Sequence, residues 1–381
     1  MFNIKNTDPS TQARTGELKT AHGTAKTPFF MPVATKLTIK HVTPMELEQM
    51  GGQAVITNAY VTYLKPGMEL IKEVGGVHRL MNFNRTIFSD SGGFQMLSES
   101  FLKEVSDKGV SFHDPFANRA HFLKPEDVIR IEREMGSDVA MCLDHVPAVK
   151  SKEEDIAEAV RRTHVWAERC KKYHDAHDSK NIYGKRQLLF GIAQGGLSKE
   201  LREKSAKAID ALDFDGLAIG GLCIGESKEE MFKAAKWQLP HLSKEKPRYL
   251  MGVGSPEDII EAVSLGVDCF DSIYPTQNAR HCHVFTRKGT IKLDRGRYSK
   301  DMSPLDPDCD CYVCKNFSRA YLHHLSRSFE WTHHRYLSYH NVYWVVKFLE
   351  RIRAAIDKGE FEEFRKEFNE RYVKRKISAK R

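Results

Sequence analysis

The chain has 381 residues, 41% of them apolar, long enough to bury one large core or two ordinary ones. No run of about eighteen apolar residues occurs, which excludes a membrane-spanning helix, and the polar start MFNIKNTDPSTQARTG lacks a signal-peptide core, so the cytoplasm is the expected location. The net charge of +8 is spread out, densest in the tail RYVKRKISAKR from Arg371, which suits either a solvated terminus or a partner carrying phosphates.

In chain order one unit recurs: an apolar run of strand length ending in Gly or a polar residue, then a helical segment. Strands are predicted at TPFFMPVAT (27–35), QAVITNAY (53–60), TIFSDSGGF (86–94) and DVAMCLDH (138–145). They continue at QLLFGIAQGG (187–196), FDGLAIGGL (214–222), PRYLMGVG (247–254) and VDCFDSIYP (267–275). Helices are predicted at PEDVIRIEREMG, at KEEDIAEAVRRTHVWAERCKKYHDAH, and at SKELREKSAKAIDALD with Ser198 as N-cap. In SPEDIIEAVSLG, Ser255 is the cap, Pro256 takes the first helical position and Gly266 marks the stop. Eight buried strands alternating with helices describe an α/β protein, a (β/α)8 TIM barrel. A doubly wound open sheet competes, but no GxGxxG follows an early strand.

A barrel collects the C-terminal ends of its strands at one mouth. Those ends are Asn58, Asp90, Asp144, Gln194, Gly220–Gly221, Gly252 and Asp271. An Asp there has an ordinary role as the cap of the next helix, an explanation that weakens when three occur. Two carboxylates flanking a glycosidic bond are suited to cutting it. A third, with Gln194 and glycine N–H groups, can read the edge of a polar heterocycle. Mg²⁺ or Mn²⁺ binding is the rival use, without a DxD or ExxH spacing to support it. Five cysteines stand singly, while Cys309, Cys311 and Cys314 crowd into DCDCYVCKNF, one soft ligand short of a closed tetrahedral site.

SDSGGFQ (89–95), GIAQGG (191–196), LAIGGLCIGE (217–226), YLMGVGSPEDI (249–259), FDSIYPTQNAR (270–280) and CDCYVCKNFSRAYL (309–322) resemble the tRNA-guanine transglycosylases, or queuine tRNA-ribosyltransferases, of bacterial type. The resemblance runs from PFFMPVAT to AAIDKGEFEEF. It implies exchange of the wobble guanine of tRNAs with a GUN anticodon for a 7-deazaguanine, in queuosine biosynthesis. Asp271 matches the nucleophile and Asp90 the general acid/base of a double displacement through a covalent intermediate. Asp144, Gln194, Gly221 and Leu222 match base-recognition positions, and Phe94 and Met251 match residues that sandwich the ring. The family's last zinc ligand is a His twenty-six residues beyond the third Cys, which here is His340; His333 and His334 are alternatives on spacing alone. His340 also sits at the start of an amphipathic pattern, 341–357, expected to be the eighth barrel helix. One structural Zn²⁺ per subunit follows, held in an insertion after the eighth strand, residues 285–340 of a single catalytic domain 1–381, with the final helix and basic tail at 341–381. The basic segment RKGTIKLDRGRYSK is expected to lie near the RNA path, with Lys288 in it and Arg280 before it as candidate phosphate contacts. The resemblance also implies a homodimer.

Several positions depart from the usual bacterial pattern: Val61, Gln277 and Ser272 stand where His, Arg and Cys are common. Val146 looks more like the eukaryotic catalytic subunit, whereas Ile224 should fill the space that the cyclopentene-diol of queuine needs. Preference for 7-aminomethyl-7-deazaguanine is therefore expected, with queuine salvage as the alternative. An archaeosine-type enzyme carries C-terminal RNA-binding domains for which this chain has no room. A noncatalytic partner subunit is opposed by intact Asp90 and Asp271. A plain zinc-stapled RNA-binding protein leaves the carboxylates unused, and a glycoside hydrolase leaves the cysteines unused.

Overall fold

The computed structural model describes residues 2–93, 102–114, 116–117, 119–148 and 151–373. Eight parallel strands form its centre: β1 (Phe29–Pro32), β2 (Ala54–Asn58), β3 (Thr86–Asp90), β4 (Val139–Met141), β5 (Leu188–Ala193), β6 (Gly216–Ile219), β7 (Arg248–Leu250) and β8 (Cys269–Ser272). Neighbours in sequence are neighbours in space, and β8 returns to β1 with Cys269 opposite Phe29 and Ser272 opposite Pro32. The last seam, β1 to β2, is joined by the parallel bridge Val33–Ile56 and by the Ala34 N–H donating to Ile56 O at 2.8 Å. All eight strands fall within the eight predicted segments, and the TIM-barrel class is the observed one.

The barrel floor is a layer of rings from alternate strands: Phe29 on β1, Phe88 on β3, Phe190 on β5 and Tyr249 on β7, none more than 2% exposed. Phe88 and Phe190 meet edge to face at 5.5 Å, and Phe88 lies 6.2 Å from both Phe29 and Tyr249. Side chains alternate along a strand, so Asp90, two residues past Phe88, points inward one layer nearer the mouth.

Eight helices follow their strands: α1 (Pro44–Gln49), α2 (Met68–Val74), α3 (Pro125–Met135), α4 (Glu153–Asp175), α5 (Lys199–Asp210), α6 (Lys228–Gln238), α7 (Pro256–Ser264) and α8 (Thr332–Lys358). Ser255 caps α7 as expected, accepting from the Asp258 N–H at 3.2 Å. Ser198 occupies the cap position of α5 without a cap bond, its hydroxyl donating instead to Glu153 at 3.3 Å. An antiparallel sheet of Phe2–Thr7, Arg14–Thr20 and Gly23–Thr27 covers the opposite end of the barrel. It is pinned to the strand starts, Arg14 to Asp268 and His22 to Asp138. Asp138 also accepts from His78 at 3.0 Å and from the Ile87 N–H at 2.9 Å.

Helix α8 begins at Thr332, well before the expected start at 341, and His340 lies inside it. THHRYLSYH contains no Gly or Pro to stop propagation. Its buried face continues backwards through His340, Ser338 and Leu337 to His333, and apart from Leu337 these are polar positions that an apolar periodicity does not detect. Between β8 and α8 the chain forms a second, smaller core around Val284, Leu293, Leu305, Val313, Leu322 and Leu337.

Candidate active site

A cavity of about 870 Å³ opens at the C-terminal ends of the strands. Asp90, Asp144 and Asp271 all line it, with Gly221, Leu222 and Met251. Phe94 lies outside the described residues. Asp271 is not used up as the cap of the helix that follows it. The Tyr274 N–H at the next helix start donates to Ser272 Oγ at 3.1 Å, which leaves Asp271 free for other partners. Those are the Tyr249 hydroxyl, donating at 2.6 Å, and the Gly252 N–H at 2.8 Å, both to Oδ1. Asp90 Oδ2 accepts from Asn58 Nδ2 at 2.8 Å and from the Gly92 N–H at 3.3 Å. Asn58 is itself fixed because its Oδ1 accepts from the Val61 N–H at 2.8 Å.

Enclosure and mutual repulsion set the electrostatics. Burial, then the charges of Asp144 and Asp271, push Asp90 up to about 7, against the opposing hydrogen bonds from Gly92 and Asn58. Asp144 is pushed up to about 6 by burial, opposed by Gln194. Asp271 is also raised by burial, while Gly252 and Tyr249 pull it back. The pair Asp90 and Asp271 thus combines one carboxyl poised near neutrality, able to give and take a proton, with one whose upward shift is opposed by two donors.

Gln194 Nε2 donates to Asp144 Oδ2 at 2.5 Å; Asp144 lines the cavity, and Gln194 is fully buried behind it. Gln194 Oε1 has no partner among the described residues. Gly221 lies against it with φ of +64°, and a Cβ there would sit 2.2 Å from that oxygen, so only glycine permits the approach. Val146 and Ile224 line the same wall, and Gln277 and Ser272 the mouth. Arg280 and Lys288 lie outside the cavity lining; Arg280 is half-buried and Lys288 exposed.

Three participants escaped the reading of strand ends. Tyr249 sits mid-strand in an apolar run, and its inward parity, two residues before Met251, was the available signal. Asn58 was noted only as a strand end, not as a partner of Asp90. Glu226 receives the N–H groups of Cys223 at 2.5 Å and Ile224 at 3.1 Å, shaping the loop after β6.

Cys309, Cys311, Cys314 and His340 converge as a set able to hold a metal. His340 Nδ1 lies 3.8, 3.4 and 3.3 Å from the three sulfurs in that order. Tetrahedral zinc with ordinary Zn–S and Zn–N bonds requires S···N separations of roughly 3.5 Å, so the donor set fits. His340 Nε2 donates to Phe285 O at 2.8 Å, which leaves the Nδ1 lone pair for the metal. His333 is committed elsewhere, against Glu330 O at 2.6 Å.

A (β/α)8 enzyme with three carboxylates at its mouth and a Cys3His cluster beyond its last strand is the class that fold and site define. The family model described as queuine tRNA-ribosyltransferase matches residues 8–374. The chain is 45% identical over 372 residues to the queuine tRNA-ribosyltransferase of Halothermothrix orenii, covering 98% of each. It is 44% identical over 371 residues to that of Pelotomaculum thermopropionicum, covering 97% of this chain and 98% of the relative. With that of Moorella thermoacetica it shares 44% over 376 residues, 99% of each. The chain belongs to the queuine tRNA-ribosyltransferase family and is a pentosyltransferase.

Proposed function

We propose that this protein replaces the wobble guanine of GUN-anticodon tRNAs with a 7-deazaguanine by two successive displacements at the ribose. The observation that carries this reading is the pairing of Asp271, held by two donors, with Asp90, poised at about 7, across one cavity. The Asp271 carboxylate attacks C1′, and the C1′–N9 bond breaks with its electron pair leaving on guanine. Asp90 supplies the proton that guanine takes away. The second half runs in reverse: Asp90 takes a proton from the incoming base, whose nitrogen attacks C1′ and releases the Asp271 carboxylate. Two inversions give retention, as in retaining glycosidases. Asp144, Gln194, Gly221 and Leu222 read the polar edge of the base, and Met251 covers its face. A flat base removed from its stack suits such a slot.

Ile224 on the cavity wall favours a small 7-substituent, and this steric signal is taken over the eukaryote-like Val146 beside it, so 7-aminomethyl-7-deazaguanine is the incoming base in this reading. Zn²⁺ held by Cys309, Cys311, Cys314 and His340 is structural, since four protein ligands leave no open position. It ties α8 to the insertion within one catalytic domain. Arg280 and Lys288 extend the RNA surface beyond the cavity.

The test is incorporation of labelled guanine into a GUN-anticodon tRNA by wild type and Asp271→Asn. Incorporation by wild type alone, with an acid-stable protein–RNA adduct trapped only when Asp271 is present, is the expected result. A folded, zinc-loaded wild type that incorporates nothing overturns the reading.

A further inference from the structure

The candidate base pocket has a buried cation behind it that no step above uses. Arg202, in the first turn of α5, is fully buried, yet all its hydrogen bonds go to neutral acceptors. Nε donates to Gly196 O at 2.8 Å, and Nη1 to Gly220 O at 2.7 Å and Gln238 Oε1 at 3.1 Å. Nη2 donates to Gly221 O at 3.1 Å. Burial lowers its pKa to about 9, with Glu226 the opposing charge, so it remains a cation at neutral pH.

The geometry of a planar trans peptide turns these bonds into a statement about the pocket. An N–H points opposite the carbonyl of its own peptide group. With the carbonyls of Gly220 and Gly221 both held on Arg202, the N–H groups of Gly221 and Leu222 are directed away from it. Both residues line the cavity, and neither N–H has a protein acceptor among the described residues. Helix α5 comes close enough to hold this arrangement: a Cβ on Gly195 would lie 2.6 Å from the Arg202 nitrogen. One turn on, Ser205 Oγ accepts from the Gln194 N–H at 3.0 Å.

We propose that Arg202 is a positioning residue for base exchange, clamping the Gly220–Gly221 peptides so that two N–H donors meet the carbonyl oxygen of the purine. The proposal rests on the exchange reading above and adds the group that aims its donors. Arg202 also polarises those peptides, because its charge lies at their carbonyl ends. As the glycosidic bond breaks, negative charge spreads over the departing purine, and preorganised dipoles aimed at its oxygen then matter most. Arg202 therefore acts on guanine departure as well as on base affinity.

The experiment compares wild type, Arg202→Lys and Arg202→Gln in labelled-guanine incorporation, with circular dichroism and zinc content as checks of folding. Lysine keeps the charge but cannot span both carbonyls. Each variant is expected to raise KM for guanine and lower kcat by about tenfold or more, while KM for tRNA stays within about twofold. As a competitive inhibitor, 2-aminopurine, which lacks the carbonyl oxygen, should lose far less affinity than guanine in the lysine variant. A folded lysine variant with wild-type kcat and guanine KM overturns the proposal, as does an equal loss for guanine and 2-aminopurine. An inactive wild type fails at the earlier step and removes the exchange reading itself.

Discussion

Replacing Tyr249 with Phe removes one oxygen from a fully buried ring and leaves the packing against Phe88 in place. That oxygen donates to Asp271 Oδ1 at 2.6 Å, and among the described residues the Gly252 N–H, at 2.8 Å, shares the same acceptor. A hydrogen bond to a buried charge contributes about 1.5–3 kcal/mol, equivalent to a pKa change of about one to two units. Tyr249 pulls the Asp271 pKa down against burial, so its loss moves that pKa up. Less of the proposed nucleophile is then ionised at low pH, and the acidic limb of the kcat/KM profile for guanine incorporation should move upward by about one unit or more. Above that limb the rate should still fall about tenfold, because in the proposed mechanism Asp271 is also the leaving group of the second displacement and has lost a stabilising donor. The assay is the full pH profile of Tyr249→Phe beside wild type. An unchanged acidic limb in a folded variant would refute the reasoning, since the donor would then carry no charge stabilisation.

Further outcomes follow from the same contacts. Asp90→Asn should abolish exchange yet stabilise the fold: a carboxyl raised to about 7 contributes stability fully below about pH 4 that is lost as pH rises through 7. The gain at pH 8 should be about 2 kcal/mol by urea unfolding, with mouth water screening the rest, and no gain at pH 8 argues against the raised pKa. Asp138 shows the opposite sign. Burial would raise it, but the hydrogen bonds from His22 and His78 outweigh that and hold it at about 2. Asp138→Asn should therefore cost about 2 kcal/mol at pH 7, a difference that disappears as pH falls from about 4 to 2. His340→Ala should release the metal, measured by elemental analysis, and lower stability by about 4 kcal/mol or more. Retention of full zinc by that variant would remove His340 from the ligand set. Ile224→Gly should raise the kcat/KM of queuine relative to 7-aminomethyl-7-deazaguanine by about tenfold or more, and an unchanged ratio would free Ile224 from selecting the base.

Sequence order alone carried the barrel, because parallel strands buried on both faces must read as apolar runs and helices must return the chain between them. Asp90, Asp144, Gln194 and Asp271 were legible for the same reason: a polar residue ending such a run can only lie at the mouth. The three cysteines declared themselves by spacing, whereas His340 was singled out by the interval the family resemblance implies, spacing alone leaving His333 and His334 open.

Other features depend on distances between segments far apart in the chain. That Tyr249 reaches Asp271, that Asn58 reaches Asp90, and that Arg202 gathers carbonyls from two different strand ends are facts of three-dimensional proximity. The early start of α8 belongs with them, since His333 and Ser338 are buried by what packs over them and not by their own polarity. The poise of Asp90 near neutrality is of the same kind. One carboxyl in a sequence has an ordinary pKa, and only enclosure beside two others moves it. Composition and periodicity thus determined which groups arrive at the mouth, and tertiary packing decided their charge, their partners and the direction in which they point.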